Sequence, residues 1–257
     1  MTTSVVRETQ VASETAVGEL VAALESLYGD ALRVVLRFGS AVAGEVLPGQ
    51  SDTNLLIIVD AVSLESLLHK SVAVRNWTQA GNPAPLLLTT AEWRSSADIF
   101  AMEYADILHR HEVLAGVAPF DGIRVLPTDL RLHVERETMG KLLQLRRAIM
   151  AVGDTPVSHL QLLLNGLSTL MVLFRGVLRV AGSPPPMDYL ELSREVATLA
   201  SFDARPFERL VQHARHEVQI PVTEVRPVLV GVMDALTRLT AHLDRASGNA
   251  RSTGESA

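Results

Sequence analysis

Residues 34–60 constrain the fold most, because two apolar runs flank a turn-rich segment there. The first run, Val34-Val35-Leu36, is typical of a buried strand, and the second covers residues 55–59. Between them lie a Gly-Ser pair at residues 39 and 40, several small residues and the turn-rich sequence LPGQSD. Two adjacent strands joined in this way would place Ser40 near Asp52. The pattern therefore predicts a strand pair with polar residues gathered at the mouth of a sheet.

This string of residues resembles the signature of the polymerase-β-like nucleotidyltransferase superfamily. In that signature a Gly-Ser pair is followed by two carboxylates, one residue apart, at the start of a hydrophobic strand. Here Gly39 and Ser40 match the pair, Gly44 matches a further glycine, and Asp52 matches the first carboxylate. The second carboxylate position holds Asn54. The resemblance predicts a minimal, kanamycin-type nucleotidyltransferase domain with a degenerate carboxylate motif.

The resemblance also implies roles for these residues. Nucleotidyl transfer requires a protein to hold a polyanion, to position divalent cations and to align an in-line attack. Gly39, Ser40, Gly44 and Ser51 would hold the triphosphate of ATP or another nucleoside triphosphate, because glycine permits close backbone approach and hydroxyl and amide groups donate to phosphate. Asp52 and Asn54 would bind Mg²⁺, since residues i and i+2 of a strand point to one face.

Asn54 is the departure from the family pattern. An amide oxygen can touch a metal ion, but it carries no charge, and the affinity of a site for hard cations depends on the charge of its ligands. We therefore expect a weakened two-metal site beside Asp52. Asp52 and Asn54 remain the predicted catalytic pair, with catalysis expected to be weak or lost.

The family's third carboxylate lies on a later strand, and the sequence offers two placements. If PLLLT, residues 85–89, is the matching strand, the position is Leu87 and the carboxylate is lost. FAMEYADIL, residues 100–108, could be either a fourth strand or a helical segment, and we favour the strand. If it is the matching strand, Glu103 takes the position between apolar neighbours. Glu103 is accordingly the third predicted catalytic residue. His109 and His111 could approach phosphates nearby.

Composition limits the class of partner. The chain is 47% hydrophobic, carries a formal net charge of −6 and contains no cysteine, so thiol nucleophiles and zinc-thiolate sites are excluded. The negative charge argues against a surface that coats nucleic acid. The first residues lack a basic segment followed by an apolar core, and we expect a cytoplasmic protein. A small hydroxyl-bearing acceptor is a better expectation than a polynucleotide.

The sequence predicts an α+β protein: a nucleotidyltransferase-like mixed sheet with flanking helices, then an α-helical bundle. We place the first domain at residues 1–122, the bundle at 123–246 and a disordered tail at 247–257. We predict that the apolar stretch 158–181 is the central helix of the bundle and not a membrane segment, because its uninterrupted apolar part is shorter than a bilayer span. We therefore expect no membrane partner. An apolar face on the bundle would be compatible with a homodimer.

Two functional hypotheses follow. In the first, the protein is an enzyme that uses a nucleoside triphosphate and Mg²⁺ to modify a small hydroxyl-bearing acceptor. In the second, it is a catalytically inactive module that senses nucleotides or binds protein partners. Asn54 favours the second hypothesis, while the Gly-Ser turn and Asp52 favour a retained ligand site. The interpretation favoured here is nucleotide binding with weak or absent transfer.

Overall fold

The computed structural model describes residues 2–39, 42 and 53–254, with side chains between residues 14 and 245 except at positions 69–71. The chain divides into two compact units, one that extends to Val125 and one that begins at Leu126. The first unit contains a four-stranded mixed sheet with helices, and the second is helical. The predicted α+β class is therefore confirmed.

The first unit alternates helices and strands along the chain. Its helices are α1 (Thr2–Tyr28), α2 (Leu64–Gln79), α3 (Thr90–Ser95) and α4 (Ala101–His109), with a 3₁₀ turn at Gly29–Ala31. Its strands are β1 (Leu32–Phe38), β2 (Asn54–Val59), β3 (Leu86–Thr89) and β4 (His111–Gly116). The strand pair predicted from residues 34–60 is confirmed as β1 and β2.

The strands lie in the order β3-β2-β1-β4. β1 is antiparallel to both β2 and β4, whereas β2 and β3 are parallel and are connected through α2. α2 is thus the crossover helix that two parallel neighbouring strands require. Its start is fixed by Ser63, whose side chain accepts from the Ser66 amide while the Ser66 hydroxyl accepts from the Ser63 amide.

Each face of the sheet buries its own apolar cluster, because successive side chains of a strand point to opposite faces. The first face carries Val35, Leu55 and Ile57, which pack against apolar side chains of α1 and α2. The second face carries Val34, Leu36, Leu56 and Ile58 and packs against Trp93, Tyr104 and Ile107 from α3 and α4. α1 buries Val17, Leu20 and Leu24, which lie at helical spacing on one side of the helix.

The prediction of a strand at residues 100–108 is wrong. Residues 101–109 form α4, and the fourth strand is the following segment, His111–Gly116. Ala101, Tyr104 and Ile107 are all buried, and their spacing of three residues is that of one helical face. The aromatic and β-branched content of the segment favoured a strand, but the helical period of its buried residues decided the structure.

The second unit consists of α5 (Pro127–Val152), α6 (Pro156–Val180), α7 (Tyr189–Ala200), α8 (Arg205–Ala214) and α9 (Val222–Gly254). α6 packs against the other four, and its buried side includes Leu163, Leu167 and Phe174. By length and composition α6 could also cross a membrane, as the central helix of a soluble bundle often can. We predicted a disordered tail from residue 247, whereas α9 extends to Gly254.

Candidate functional site

The end of β1 and the start of β2 meet at one edge of the sheet. Phe38, the last residue of β1, pairs with Asn54, the first residue of β2. Gly39 follows with φ +81°, a left-handed conformation that favours glycine, and its carbonyl accepts a hydrogen bond of 3.2 Å from the Val42 amide. A Cβ atom at Gly39 would lie 3.1 Å from the Asn54 side-chain nitrogen. Gly39 and Asn54 therefore form one compact corner.

Four other predicted site residues lie outside the described part of the chain. They are the phosphate-binding candidates Ser40, Gly44 and Ser51 and the carboxylate Asp52. Gly39 borders the undescribed segment on one side, and Thr53, which is buried, borders it on the other. The structure thus describes the two ends of the predicted turn, and the roles of these four residues stay predictions.

Glu103 lies on a helix, yet on the same face of the sheet as Asn54. The side chain of Asn54 points to the same face of the sheet as those of Leu56 and Ile58, which belong to the cluster beneath α4. On α4, Glu103 is four residues before Ile107 and therefore on the same helix side. Glu103 is half-buried, and its Oε2 atom is shielded from solvent. The prediction of a strand at this position was wrong, but its carboxylate is on the side that packs against the sheet.

Two aromatic residues hold α4 in place. The rings of Trp93 and Tyr104 stack with centroids 4.1 Å apart, and the Tyr104 hydroxyl donates to the Trp93 carbonyl at 2.8 Å. The Trp93 indole in turn donates to the Pro119 carbonyl at 3.1 Å. Burial raises the pKa of Tyr104 to about 12, so its hydroxyl stays protonated and keeps donating. These contacts fix the helix that carries Glu103.

Leu87, the alternative position for the third carboxylate, faces away from this corner. It pairs with Ile57 in the parallel β2–β3 register and packs in the cluster beneath α1 and α2. The neighbouring Leu88 packs on the face that carries Asn54. A leucine at position 87 therefore reflects burial on the opposite side of the sheet.

His111 is a polar residue of this edge whose placement could not be deduced from local sequence. It is the first residue of β4 and pairs with Phe38, so β2, β1 and β4 place Asn54, Phe38 and His111 in one row. Its Nδ1 atom lies 2.8 Å from the Ile107 carbonyl and must donate to that oxygen. In the neutral ring the Nε2 atom is then an acceptor. Its local signal is limited to the cluster His109-Arg110-His111.

Arg37, next to the last residue of β1, is paired with two carboxylates. Arg37 contacts Glu14 of α1 at 2.5 Å and Glu112 of β4 at 2.7 Å. Burial lowers the pKa of Arg37, but the hydrogen bonds to these two carboxylates outweigh it and leave that pKa raised. Arg37 is thus a permanent cation that ties α1 to two strands, on the sheet face opposite Asn54.

Within the described ranges, no group of three or more His, Asp or Glu side chains is arranged to hold a metal ion. The polar groups on the Asn54 face nevertheless fit magnesium in type, because Asn54 and Glu103 both present oxygen atoms. The remaining predicted ligand, Asp52, belongs to the segment outside the description.

The likeness to known proteins is one of fold. No protein-family model matches the chain, and no curated protein matches it. Among solved structures, it is similar to spectinomycin adenyltransferase AAD(9) from Enterococcus faecialis, a crystal structure with ATP and spectinomycin. The two chains are 14% identical with a TM-score of 0.57, and the match covers 90% of this chain and 99% of the other. The chain therefore shares the fold of that adenyltransferase.

Proposed function

We propose that this protein binds a nucleoside triphosphate with Mg²⁺ at the edge of the sheet where β1 ends and β2 begins. The observation that carries the proposal is the corner formed by Gly39 and Asn54, in a fold shared with a protein whose structure contains ATP. A left-handed glycine without a side chain lets the backbone approach phosphate oxygens closely.

The residues divide into two roles in this proposal. Gly39, Ser40, Gly44 and Ser51 hold the triphosphate through backbone amides and hydroxyl groups. Asp52, Asn54 and Glu103 supply the oxygen atoms that would hold magnesium. Bound magnesium would neutralise phosphate charge. The proposed acceptor is a small hydroxyl-bearing molecule, which is supported by the spectinomycin in the AAD(9) structure.

The side chain of Asn54 determines the rate of nucleotidyl transfer that we expect. The carboxylate that the family pattern has at this position would bring a full negative charge, whereas the Asn54 amide contributes only a dipole. We propose that nucleotidyl transfer is weak or lost for this reason, while nucleotide binding is retained. The alternative is a catalytically inactive module that senses nucleotides or binds a protein, and the neutral side chain of Asn54 is the observation that favours it.

The first experiment measures thermal unfolding with ATP and the other nucleoside triphosphates, with and without Mg²⁺. A ligand that binds only the folded state stabilises it by about 2.7 kcal/mol at a hundredfold excess over its Kd. We expect a magnesium-dependent stabilisation that disappears in Asp52→Ala. Asp60→Ala is the matched control, because Asp60 follows the other end of β2 and pairs with Arg33 on the surface. No stabilisation by any nucleotide would contradict the proposal.

A second experiment separates binding from catalysis. Asn54→Asp restores the missing charge, so Mg²⁺ should bind more tightly and pyrophosphate release with small hydroxyl acceptors should rise above the wild-type rate. Unchanged magnesium affinity would count against the whole metal site. Tighter magnesium binding without any pyrophosphate release would favour the sensing module over the enzyme.

The remaining partner proposals concern the second unit and the location of the protein. We propose a cytoplasmic protein, with a domain boundary near residue 122, that binds neither membranes nor nucleic acid. A homodimer would use α5, where exposed Leu132, Met139, Leu143 and Met150 form one stripe. In an antiparallel pair of such helices Leu132 would face Met150 and Met139 would face Leu143, because both pairs are centred on residue 141. Light scattering on wild-type protein and Leu143→Glu tests this expectation.

A further inference from the structure

A cleft of about 180 Å³ opens between α5, α6 and α9, entirely within the second unit. It exists because small residues occupy the facing positions of two helices, namely Ala148 on α5 and Gly166 and Thr169 on α6. A Cβ atom added to Gly166 would meet nothing within 4 Å, which shows that the space in front of this glycine is open. A glycine in mid-helix costs about 1 kcal/mol relative to alanine. The sequence therefore keeps a cavity at some expense in helix stability.

The floor of the cleft is apolar and its rim is polar. Four buried aliphatic side chains form the floor: Leu163, Leu170, Val232 and Leu236. The exposed rim carries polar side chains with hydrogen-bonding groups: Gln144, Asn165 and Thr169. This division resembles ligand pockets in general, which are mostly apolar with a few polar groups that fix orientation.

Lys141 defines the charge of the cleft. Among the described residues that line it, Lys141 alone is charged, and no carboxylate lies among them. Its Nζ atom contacts the Gln144 amide oxygen at 3.5 Å, a weak interaction that an anion could replace. The Asn165 amide oxygen is already occupied by a 2.7 Å hydrogen bond from Gln161, so Asn165 offers its N–H groups to a ligand. The rim thus presents donors to an acceptor group.

We propose that this cleft binds a small amphipathic carboxylate, with its apolar chain on the leucine and valine floor and its carboxylate at Lys141. An apolar cavity of about 150 Å³ accommodates a molecule of benzene size. The cleft therefore suits a straight-chain carboxylate of roughly six to eight carbons. The site shares no residue with the proposed nucleotide site, so the two proposals can fail separately.

Calorimetric titration with hexanoate and octanoate tests this inference, with hexan-1-ol as the uncharged probe. We expect saturable binding of one carboxylate per chain. Gly166→Leu should abolish it by filling the cleft, while leucine, a good helix former, keeps the helix intact. Gly140→Ala is the matched control, because Gly140 is a mid-helix glycine with open space around it that does not line the cleft. Its binding should equal that of the wild-type protein.

Lys141→Gln tests the charged contact. We expect it to weaken hexanoate binding about tenfold, as for loss of a hydrogen bond to a charged group, and to leave hexan-1-ol unaffected. Three results would overturn the inference: no saturable binding of either carboxylate, unchanged binding in Gly166→Leu with native circular dichroism, or equal affinity of the wild-type protein for hexanoate and hexan-1-ol.

Discussion

Gly39→Ala is the substitution that best tests the proposed nucleotide corner. Gly39 has φ +81°, and the left-handed region costs a residue with a Cβ atom roughly 1–2 kcal/mol. The new methyl group would also lie 3.1 Å from the Asn54 side-chain nitrogen, so the Asn54 amide would have to move by a few tenths of an ångström. We therefore expect a modest loss of stability together with a displaced Asn54.

Gly122→Ala provides the matched control. Gly122 also has φ +81°, but a Cβ atom there would meet nothing within 4 Å. Both variants should lose about 1–2 kcal/mol of unfolding free energy in urea titrations, because both carry the same backbone strain. Only Gly39→Ala should also lose the stabilisation by ATP and Mg²⁺, about 2.7 kcal/mol at a hundredfold excess over Kd.

Two results would refute this reasoning. If Gly39→Ala were as stable as the wild-type protein, the strain assigned to its backbone would be wrong. If both variants kept the full stabilisation by ATP and Mg²⁺, the corner formed by Gly39 and Asn54 would not be the nucleotide site.

Three further predictions concern stability. Gly116→Ala would place a Cβ atom 2.1 Å from the Arg33 carbonyl oxygen, so we expect a larger loss in urea titrations than for Gly39→Ala; equal losses would contradict this. An unfolded tyrosine ionises near pH 10, whereas burial raises the pKa of Tyr104 to about 12. Stability should therefore fall between about pH 10 and 12, and Tyr104→Phe should flatten that fall. Asp188 caps α7 by accepting from two backbone amides at 2.9 Å, and Asp188→Ala should cost about 1 kcal/mol.

The Asp188 cap also has a pH dependence of known sign. Burial raises the pKa of Asp188, but hydrogen bonds from backbone amides and Arg215 outweigh it and leave that pKa lowered. The stabilisation is therefore present above the pKa of the unfolded chain, near 3.9, and is lost as the pH falls further. Asp188→Asn should keep much of the cap at neutral pH and reduce this acid dependence. If Asp188→Asn lost as much stability at acid pH as the wild-type protein does, the assignment would be wrong.

The elements that local sequence predicted well are those whose pattern is complete within a few turns. α1, α2 and α6 carry apolar residues at helical spacing, and β1 and β2 are short apolar runs, so their burial could be inferred directly. The start of α5 does not follow such a pattern, because the apolar Leu126 is its N-cap and Pro127 occupies the first turn.

β4 could not be predicted from its own residues. It lies at the edge of the sheet and pairs only with β1, so Glu112 and Val113 remain exposed and no alternating apolar pattern appears. An irregular register opposite Val35 and Leu36 disturbs the alternation further. The position of His111 beside Phe38 depends on that distant pairing. For the same reason, the sequence could suggest Glu103 as a site residue only through a strand that does not exist.

The central position of β1 has a consequence for biosynthesis. Its residues Val34 and Leu36 pair with β2 on one edge and with β4 on the other, and β4 is synthesised more than seventy residues later. Until His111–Gly116 has left the ribosome, β1 is an exposed apolar edge, the kind of surface that pairs with other chains. Fragments truncated before residue 111 should therefore aggregate. A nascent chain in which β4 can pair with β1 should not.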